Sequence, residues 1–568
     1  MHPYITVILI SAVLFVLFII WIGYEKYKSK KRLRRKIQRI YGQVPEREYS
    51  PGDIENISHY FRRKEGQGFC IDDITWNDLD MDRIYMLINQ TVSSPGEDVL
   101  YDMLRRPLFH KEDIEKREEL ICFFAENKEK REKMQMMLSG VGKTWHGSLA
   151  DTILALENAP TVRTGFHWLI LVVLLLTLFV ILPLYPVAGL LLFVLLSTGN
   201  VIYYYAGNDR ARIGAFLGCF SSFLRMLDIA EKMENVDWPE IKRQMEHIRN
   251  GKKALAGLKK RAFFLTSKNE TSGDPAQLLL DYIRMVFHID IITYNKTLKS
   301  IQGKTEEIMD LLDNLGELDA AIAIASFREL LPLWCRPEFI QREEDHVRLK
   351  TEDLYHPLIQ EPVANSIEAE TGVLITGSNA SGKSTFLKNI AINSILAQTV
   401  LTCTCSCYEA PFLKVMTSMA LRDDLSGGES YFIVEIRSLK RILDESTKGE
   451  PLLCIIDEVL RGTNTIERIA ASSRILSSLN QKWVLPFAAT HDIELSYILE
   501  GQYRNLHFEE EVQKHQVLFN YLLKEGRATS RNAIKLLSML EYSPEIVKEA
   551  EQAAADFEKT GVWKACRK

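Results

Sequence analysis

The sequence predicts two kinds of structure: an α/β domain with a largely parallel sheet at the C-terminal end, and a mainly α-helical region before it that includes transmembrane α-helices. Three observations predict this. A G-x-x-x-x-G-K-S motif at Gly377–Ser384 lies between an apolar run and a helix-like run. A second apolar run, Leu452–Ile456, is followed directly by two carboxylates, Asp457 and Glu458. Long uncharged apolar segments lie at Tyr4–Gly23 and Phe166–Tyr205.

The glycine motif is the pattern of a phosphate-binding loop. Gly377 and Gly382 allow the backbone to approach phosphates closely, and the N-terminus of the following helix adds N–H donors. Lys383 is expected to reach the β- and γ-phosphates of a nucleoside triphosphate. A chance match is the alternative for the motif taken alone. The predicted nucleotide-binding residues are Gly377, Ser378, Asn379, Ala380, Ser381, Gly382, Lys383, Ser384 and Thr385.

Two further strand ends supply candidate catalytic groups. Asp457 and Glu458 follow the apolar run, and His491 follows another apolar run, PFAAT. Ser384 and Asp457 are predicted to bind Mg²⁺, because a hydroxyl and a carboxylate are hard oxygen ligands. Glu458 is predicted to act as the base or to orient the attacking water. His491 is predicted to sense the γ-phosphate, and Lys383 completes the catalytic set.

A glycine- and serine-rich segment, Asp423–Leu443, lies between the phosphate loop and the two carboxylates. Two glycines and a serine beside acidic residues predict a turn that opens a helix. Such a helix start can bind an anion. If it faces the nucleotide of a second subunit, Ser426, Gly428 and Ser430 form a signature acting in trans. The alternative is an ordinary capped surface helix.

Taken in order, these motifs resemble those of the MutS family. ITGSNASGKST, DDLSGGESYF, IIDEVLRGTNT and AATHDIELS occur in the order found in the MutS ATPase domain. Arg83–Phe124, Leu315–Phe327 and Tyr355–Ile359 resemble parts of the MutS core. Tyr521–Leu537 resembles the closing segment, whose helices help to form the family's dimer. The resemblance implies a homodimeric ATP hydrolase that uses ATP and Mg²⁺, with DNA as a possible partner and a relation to DNA mismatch repair.

The chain also departs from the family pattern. Much of the segment before Arg83 is apolar or strongly basic, so neither the family's mismatch-recognition domain nor its connector domain fits there. Val363 occupies the position of the family's adenine-stacking aromatic. LSGGE, at Leu425–Glu429, also resembles the signature of ABC ATPases. Two alternatives therefore stay open: an ABC-type ATPase, and a nucleotide-switched scaffold acting on a membrane or protein partner.

The apolar segments predict membrane helices. Tyr4–Gly23 has the length of a span, and a basic run follows it, which predicts an uncleaved anchor. Pro183 and Pro186 divide the second block into spans at about 166–183 and 187–205, with a re-entrant or buried helical pair as the alternative. The positive-inside rule then predicts a multi-pass protein of the cell membrane, with the ATPase domain in the cytoplasm and the lipid bilayer as a partner.

Charge and cysteine content add little about partners. The 568 residues carry a formal net charge of −5, which gives no whole-chain argument for nucleic-acid binding. Lys252–Lys268 is the strongest local basic patch outside the membrane flank, and a solvated helix face is its simpler interpretation. Cys403, Cys405 and Cys407 alternate, so on a strand they would face one way; buried packing is favoured over metal or redox chemistry.

The predicted domain order follows from these segments. It runs as an N-terminal transmembrane anchor at 1–24, a basic juxtamembrane segment at 25–50, a helical MutS core-like part at 51–165, a transmembrane hairpin at 166–205, a second helical, lever-like part at 206–345, and an ATPase domain with C-terminal dimerisation helices at 346–568.

Overall fold

The structure is a computed structural model without ligands. It describes residues 3–568 except 65, 67, 144–147, 156, 158, 263–281, 342–345, 379–380, 420–430, 462, 514–515, 529–533, 535–536, 538–541, 564 and 566–568. The chain forms two compact units, one made of Met1–Gln67, Tyr85–Met103 and Glu115–Leu330, the other of Gly68–Ile84, Leu104–Ile114 and Leu331–Lys568.

The helices of the first half are numbered in chain order. They are α1 (Pro3–Ile40), α2 (Pro51–Arg63), α3 (Asp73–Asp78), α4 (Met81–Ile88), α5 (Ser94–Arg105), α6 (Lys111–Glu126), α7 (Lys128–Leu138), α8 (Leu149–Ala155), α9 (Gly165–Leu176), α10 (Leu182–Leu184), α11 (Pro186–Ala206), α12 (Asn208–Lys232), α13 (Lys242–Ala262), α14 (Ile289–Ile301) and α15 (Thr305–Leu330).

The second half alternates strands and helices. Its elements are β1 (Glu338–Phe339), β2 (Leu349–Leu354), β3 (Asn365–Ala369), β4 (Gly372–Thr376), α16 (Lys383–Thr399), β5 (Cys407–Ala410), β6 (Lys414–Ser418), α17 (Tyr431–Ser446), β7 (Leu452–Asp457), α18 (Thr465–Leu479), β8 (Val484–Thr490), α19 (Ile493–Ile498), β9 (Tyr503–Gln513), β10 (Gln516–Glu525) and α20 (Pro544–Thr560).

The first unit is helical and is built around α15. Most of this helix is buried, because its apolar and small residues cover all sides of the cylinder. Asp319 on α15 accepts hydrogen bonds from the N–H groups of Val92 and Ser93, which precede α5, at 3.1 and 2.9 Å. Its carboxylate therefore stabilises the start of α5.

The basic segment after the predicted anchor continues α1 to Ile40 without a break. Arg34 and Gln38 both donate to the carboxylate of Glu132 on α7, at 3.1 and 2.9 Å, and Ile37 is buried. The predicted division at residue 24 is therefore not a break in secondary structure. Most side chains of the predicted anchor, Tyr4–Gly23, lie outside the described residues.

Two described helices are long and apolar enough to cross a membrane. They run over Gly165–Leu184, which includes a π-helical turn, and Pro186–Ala206. In each, 17% of the most apolar window is buried inside the protein, whereas a core helix would be mostly buried. Gly189 permits the close turn between them, since a Cβ there would lie 2.5 Å from the Cα of Leu182. The membrane hairpin stays a prediction.

The second unit is the α/β domain that the sequence predicts. Its six-stranded sheet has the order β10-β9-β4-β8-β7-β6, in which all neighbours are parallel except β9 and β10. Residues on β4, β7 and β8 are almost all buried, as expected for central strands covered by helices on both faces. The same unit contains a second sheet, which has four strands in the order β1-β5-β2-β3.

The α/β unit also contains residues that precede position 346 in the chain. Strand β1 pairs with β5, which brings Glu338 and Phe339 into the α/β unit. Residues of α3 also join it, because Asp78 accepts hydrogen bonds from the Thr417 hydroxyl and the Met419 N–H at 2.6 and 3.0 Å. Strand β6 is an edge strand of the six-stranded sheet, and these hydrogen bonds give its polar groups partners on α3.

The closing segment differs from the helices expected of it at its start. Tyr521–Glu525 belongs to strand β10, which pairs antiparallel with β9. The described helix near the C-terminus is α20, whose N-cap Ser543 accepts a hydrogen bond from the Ile546 N–H.

Candidate functional site

The G-x-x-x-x-G-K-S segment, called the phosphate loop below, connects the end of β4 to the start of α16. Gly377 and Gly382 have φ values of +149° and +105°, conformations that an L side chain rarely adopts. A Cβ on Gly377 would also lie 2.9 Å from the Phe508 carbonyl oxygen. Both glycines are therefore required by the backbone. Asn379 and Ala380 lie outside the described residues.

The Lys383 ammonium lies inside this loop. Its Nζ donates hydrogen bonds to the carbonyl oxygens of Gly377 and Ser378 at 2.8 and 2.7 Å, and the residue is only 5% exposed. A cation is thus fixed in the curve of the loop where a phosphate anion would bind. Ser381 lies in the same loop, and its buried hydroxyl has no hydrogen-bond partner within the described part of the chain.

Asp457 and Ser384 form the part of the site that fits Mg²⁺. Their side chains are hydrogen-bonded to each other, and burial raises the pKa of Asp457 despite that bond. Among the described residues, Asp457 Oδ1 is buried without a hydrogen-bond partner. A carboxylate oxygen left unpaired beside a hydroxyl is a donor set that suits a hard cation. Thr385 follows in the first turn of α16 and is exposed.

Glu458 is held in an uncommon backbone conformation next to Asp457. Its φ is +57°, in the left-handed region, and its N–H donates to the Ala489 carbonyl at 2.9 Å. The carboxylate pairs with His491 Nε2 at 3.0 Å and with the Arg461 guanidinium. Burial alone would raise the pKa of Glu458, but the His491 hydrogen bond and the Arg461 charge outweigh it and lower the pKa. Glu458 is therefore an ionised carboxylate at neutral pH.

The segment after β8 fixes the position of His491. Asp492 accepts two hydrogen bonds from the Arg468 guanidinium on α18, at 2.8 and 2.6 Å, and its N–H donates to the Thr490 hydroxyl at 3.0 Å. This pair of hydrogen bonds restrains Asp492, and with it the neighbouring backbone of His491. His491 itself stays partly exposed, with 35% of its side chain accessible.

Sheet geometry explains why these residues meet. Thr376 of β4 pairs with Thr490 of β8, and Asp457 of β7 pairs with Ala489 of β8. Because the three strands are parallel, their carboxyl ends lie at one edge, which is where ligands bind in open α/β sheets.

The predicted residues therefore divide into two groups. Lys383, Ser384, Asp457, Glu458 and His491 come together at that edge. The predicted trans signature, Ser426, Gly428 and Ser430, lies outside the described residues, and α17 begins directly after it at Tyr431.

Tyr521 is a candidate site residue that the sequence interpretation missed. A Cβ on Gly382 would lie 3.1 Å from Tyr521 Cδ1, so the ring lies against the phosphate loop while 42% of the residue stays exposed. Asn365 donates to the Tyr521 carbonyl at 3.0 Å and accepts from the Leu523 N–H at 2.8 Å. Val363, the position considered for base stacking, is exposed and offers no ring. No local pattern in the sequence links β10 to the phosphate loop.

Comparison with known proteins identifies relatives of this region. The family model of MutS domain V matches residues 373–558. The DNA mismatch repair protein MutS of Leptospira interrogans is 29% identical over 295 residues, which is 49% of this chain and 34% of that protein. MutS of Bacillus pumilus is 31% identical over 262 residues, 44% of this chain and 30% of that protein. MutS of Thermus thermophilus is 29% identical over 252 residues, again 44% of this chain and 30% of that protein. The chain thus spans about a third of the length of the curated relatives it matches.

Proposed function

Because this chain belongs to the MutS family, we propose that it binds ATP with Mg²⁺ at the phosphate loop and hydrolyses the γ-phosphate. The observation that carries this proposal is the meeting of Lys383, Ser384, Asp457 and Glu458 at the carboxyl edge of one parallel sheet. This combination supplies a cation for the phosphates, oxygen ligands for a metal ion and a carboxylate base. Hydrolysis needs all three.

Each residue has a role that follows from its environment. Lys383 binds the β- and γ-phosphates, since its ammonium is already fixed within the loop. Ser384 and Asp457 would hold Mg²⁺, which when bound neutralises charge on the phosphates. Glu458 orients the attacking water and accepts its proton, because its carboxylate follows Asp457 directly and is ionised at neutral pH. His491 holds one oxygen of Glu458 in place.

The metal role can be tested separately from nucleotide binding. We expect Asp457→Asn to shift the Mg²⁺ dependence of ATP turnover to higher concentration by at least about tenfold, because one ligand loses its charge. Asp444→Asn is the matched control, since Asp444 pairs with Lys440 on an exposed helix face. An unchanged Mg²⁺ dependence in Asp457→Asn would contradict the assignment.

We further propose that the active form is a homodimer in which Ser426, Gly428 and Ser430 contact the γ-phosphate bound to the second subunit. The segment precedes a helix, and a helix start suits an anion. Sedimentation of the detergent-solubilised Glu458→Gln protein tests this. A dimer that forms with ATP and Mg²⁺, and is lost in Ser430→Arg, supports the proposal; nucleotide-independent monomers contradict it.

The relatives are DNA mismatch repair proteins, and we propose DNA as a partner on that basis. The test is ATP turnover with homoduplex, mismatched and branched DNA across a salt series. Stimulation by one form that fades as salt rises supports DNA binding, since phosphate contacts are salt-dependent. Turnover indifferent to every DNA contradicts it and points to a protein or membrane partner.

We also propose that the chain is a multi-pass protein of the cell membrane with the ATPase domain in the cytoplasm. Support comes from the apolar hairpin of α9 to α11, most of whose large side chains are exposed, and from the basic residues that follow the first apolar stretch. Vesicle flotation tests this. Leu191→Lys combined with Val180→Lys should reduce flotation, whereas Val44→Lys, an exposed apolar site elsewhere, should not.

A further inference from the structure

Three cysteines from two distant parts of the chain meet in the α/β unit. Cys335 and Cys403 form an isolated antiparallel bridge in which each N–H donates to the other's carbonyl at 3.0 Å. The Sγ atoms of Cys335 and Cys405 lie 3.5 Å apart, close enough to share a hydrogen. The three residues are called the thiol cluster below.

The cluster differs from the single alternating strand expected for Cys403, Cys405 and Cys407. Strand β5 begins only at Cys407, so Cys403 and Cys405 precede it in irregular backbone. Both are fully buried, whereas Cys407 is partly exposed and its thiol donates to Glu409 at 3.4 Å. The Cys407 thiol therefore has a partner outside the cluster, Glu409, and is not counted as a member.

Members of the cluster have unequal access to solvent and unequal acidity. Cys335 is partly exposed, while its two neighbours are buried. The Cys403 and Cys405 thiols hydrogen-bond to its sulfur and lower the pKa of Cys335, and the same bond with Cys335 raises the pKa of Cys405. An accessible thiolate beside a protonated thiol is the arrangement of a reactive and a resolving cysteine.

We propose that Cys335 and Cys405 form a reversible disulfide when the protein meets a hydroperoxide. The Cys335 thiolate attacks the peroxide oxygen and becomes a sulfenic acid, releasing hydroxide from hydrogen peroxide. The Cys405 sulfur then attacks Cys335, the S–O bond breaks, and the oxygen leaves as water with the Cys405 proton. In sum, two thiols and one hydrogen peroxide give one disulfide and two waters.

The distance between the two sulfurs favours redox chemistry at this place. The sulfurs are already near contact, so closure to a bond length of about 2.05 Å needs only a local movement.

The disulfide would also enclose the phosphate loop. Cys335 and Cys405 are 70 positions apart, and Gly377–Ser384 lies between them. The segment that carries Cys405 contacts the helix after the loop, since the Asn393 side chain on α16 accepts from the Thr404 N–H at 2.6 Å. Closing a loop of this length restricts the unfolded chain, so oxidation should raise the Tm of the α/β unit.

Peptide mapping is the direct test. The detergent-purified full-length protein is treated with hydrogen peroxide, remaining thiols are blocked with N-ethylmaleimide, and the digest is analysed by mass spectrometry. We expect a peptide pair linked through Cys335 and Cys405 that dithiothreitol separates. Cys407→Ser should give the same linked pair, and Cys335→Ser and Cys405→Ser should each abolish it.

A second measurement uses the wild-type protein, so it does not depend on whether the cysteine variants fold. In the wild-type protein, the iodoacetamide reaction of Cys335 should change little between pH 8 and pH 6, whereas an ordinary thiol slows by roughly tenfold or more over that range. Cys407 provides the internal comparison, because burial and Glu409 raise its pKa to about 11. Absence of the Cys335–Cys405 link under peroxide, a link to a different cysteine, or a Cys335 that slows as an ordinary thiol would overturn the proposal.

Discussion

Replacing Tyr521 by alanine should weaken ATP binding without slowing the chemical step. The ring lies against Gly382 of the phosphate loop, it is 42% exposed, and Asn365 fixes its backbone. We infer that its open surface stacks on the nucleotide base. Stacking of a base on an aromatic ring is worth about 1–3 kcal/mol. Since about 1.4 kcal/mol corresponds to a tenfold change in affinity, Tyr521→Ala should raise the Kd for ATP by roughly 5- to 150-fold.

The assay is a titration of ATP at fixed Mg²⁺ with the Glu458→Gln protein, so that hydrolysis does not interfere, together with steady-state kinetics in the wild-type background. Tyr521→Ala should raise KM and leave kcat unchanged, because Lys383 and Glu458 are untouched. Tyr521→Phe is the matched control and should retain affinity, as it keeps the ring. Unchanged affinity in Tyr521→Ala, or a fall in kcat at constant KM, would refute the stacking role.

Three other predictions follow from the geometry. Glu458→Gln should lower kcat by about 10²- to 10⁴-fold with ATP binding retained, as expected for loss of a general base, while the exposed Glu467→Gln should not change turnover. Arg461→Ala should move the acid limb of the pH–turnover profile to higher pH. The Arg461 charge helps to lower the pKa of Glu458, so without it the Glu458 carboxylate is protonated at higher pH. An acid limb that does not move would contradict this. Ile455→Ala on the fully buried strand β7 should destabilise the α/β unit by about 2–5 kcal/mol and lower its Tm, whereas Ile466→Ala, at an 81% exposed position, should have little effect.

The meeting of the candidate site residues at the carboxyl ends of the parallel strands was predictable because its signals are local. A glycine loop before a helix start, and apolar runs ending in Asp457-Glu458 and in Thr490-His491, each define a strand end. Parallel strands then place those ends at one edge. The sequence therefore predicted a mixed α/β domain with a largely parallel sheet, which the structure confirms.

Features that depend on distant pairing were not predictable. Tyr521 reaches the phosphate loop because β10 pairs with β9, and β9 pairs with β4. Cys335 meets Cys405 across 70 positions, and Asp78 reaches the sheet edge at Thr417 across 339. None of these contacts has a periodicity or motif, since register between remote segments is set by tertiary packing.

The role of Lys383 in ATP hydrolysis can be tested by measuring ATP turnover of the full-length protein in detergent, for wild type, Lys383→Ala and Lys440→Ala. The Lys383 ammonium is fixed in the phosphate loop, whereas Lys440 pairs with Asp444 on an exposed surface. We expect Mg²⁺-dependent turnover in wild type and Lys440→Ala, and a loss of at least about 10²-fold in Lys383→Ala. Equal turnover in all three proteins would contradict the assignment of this site.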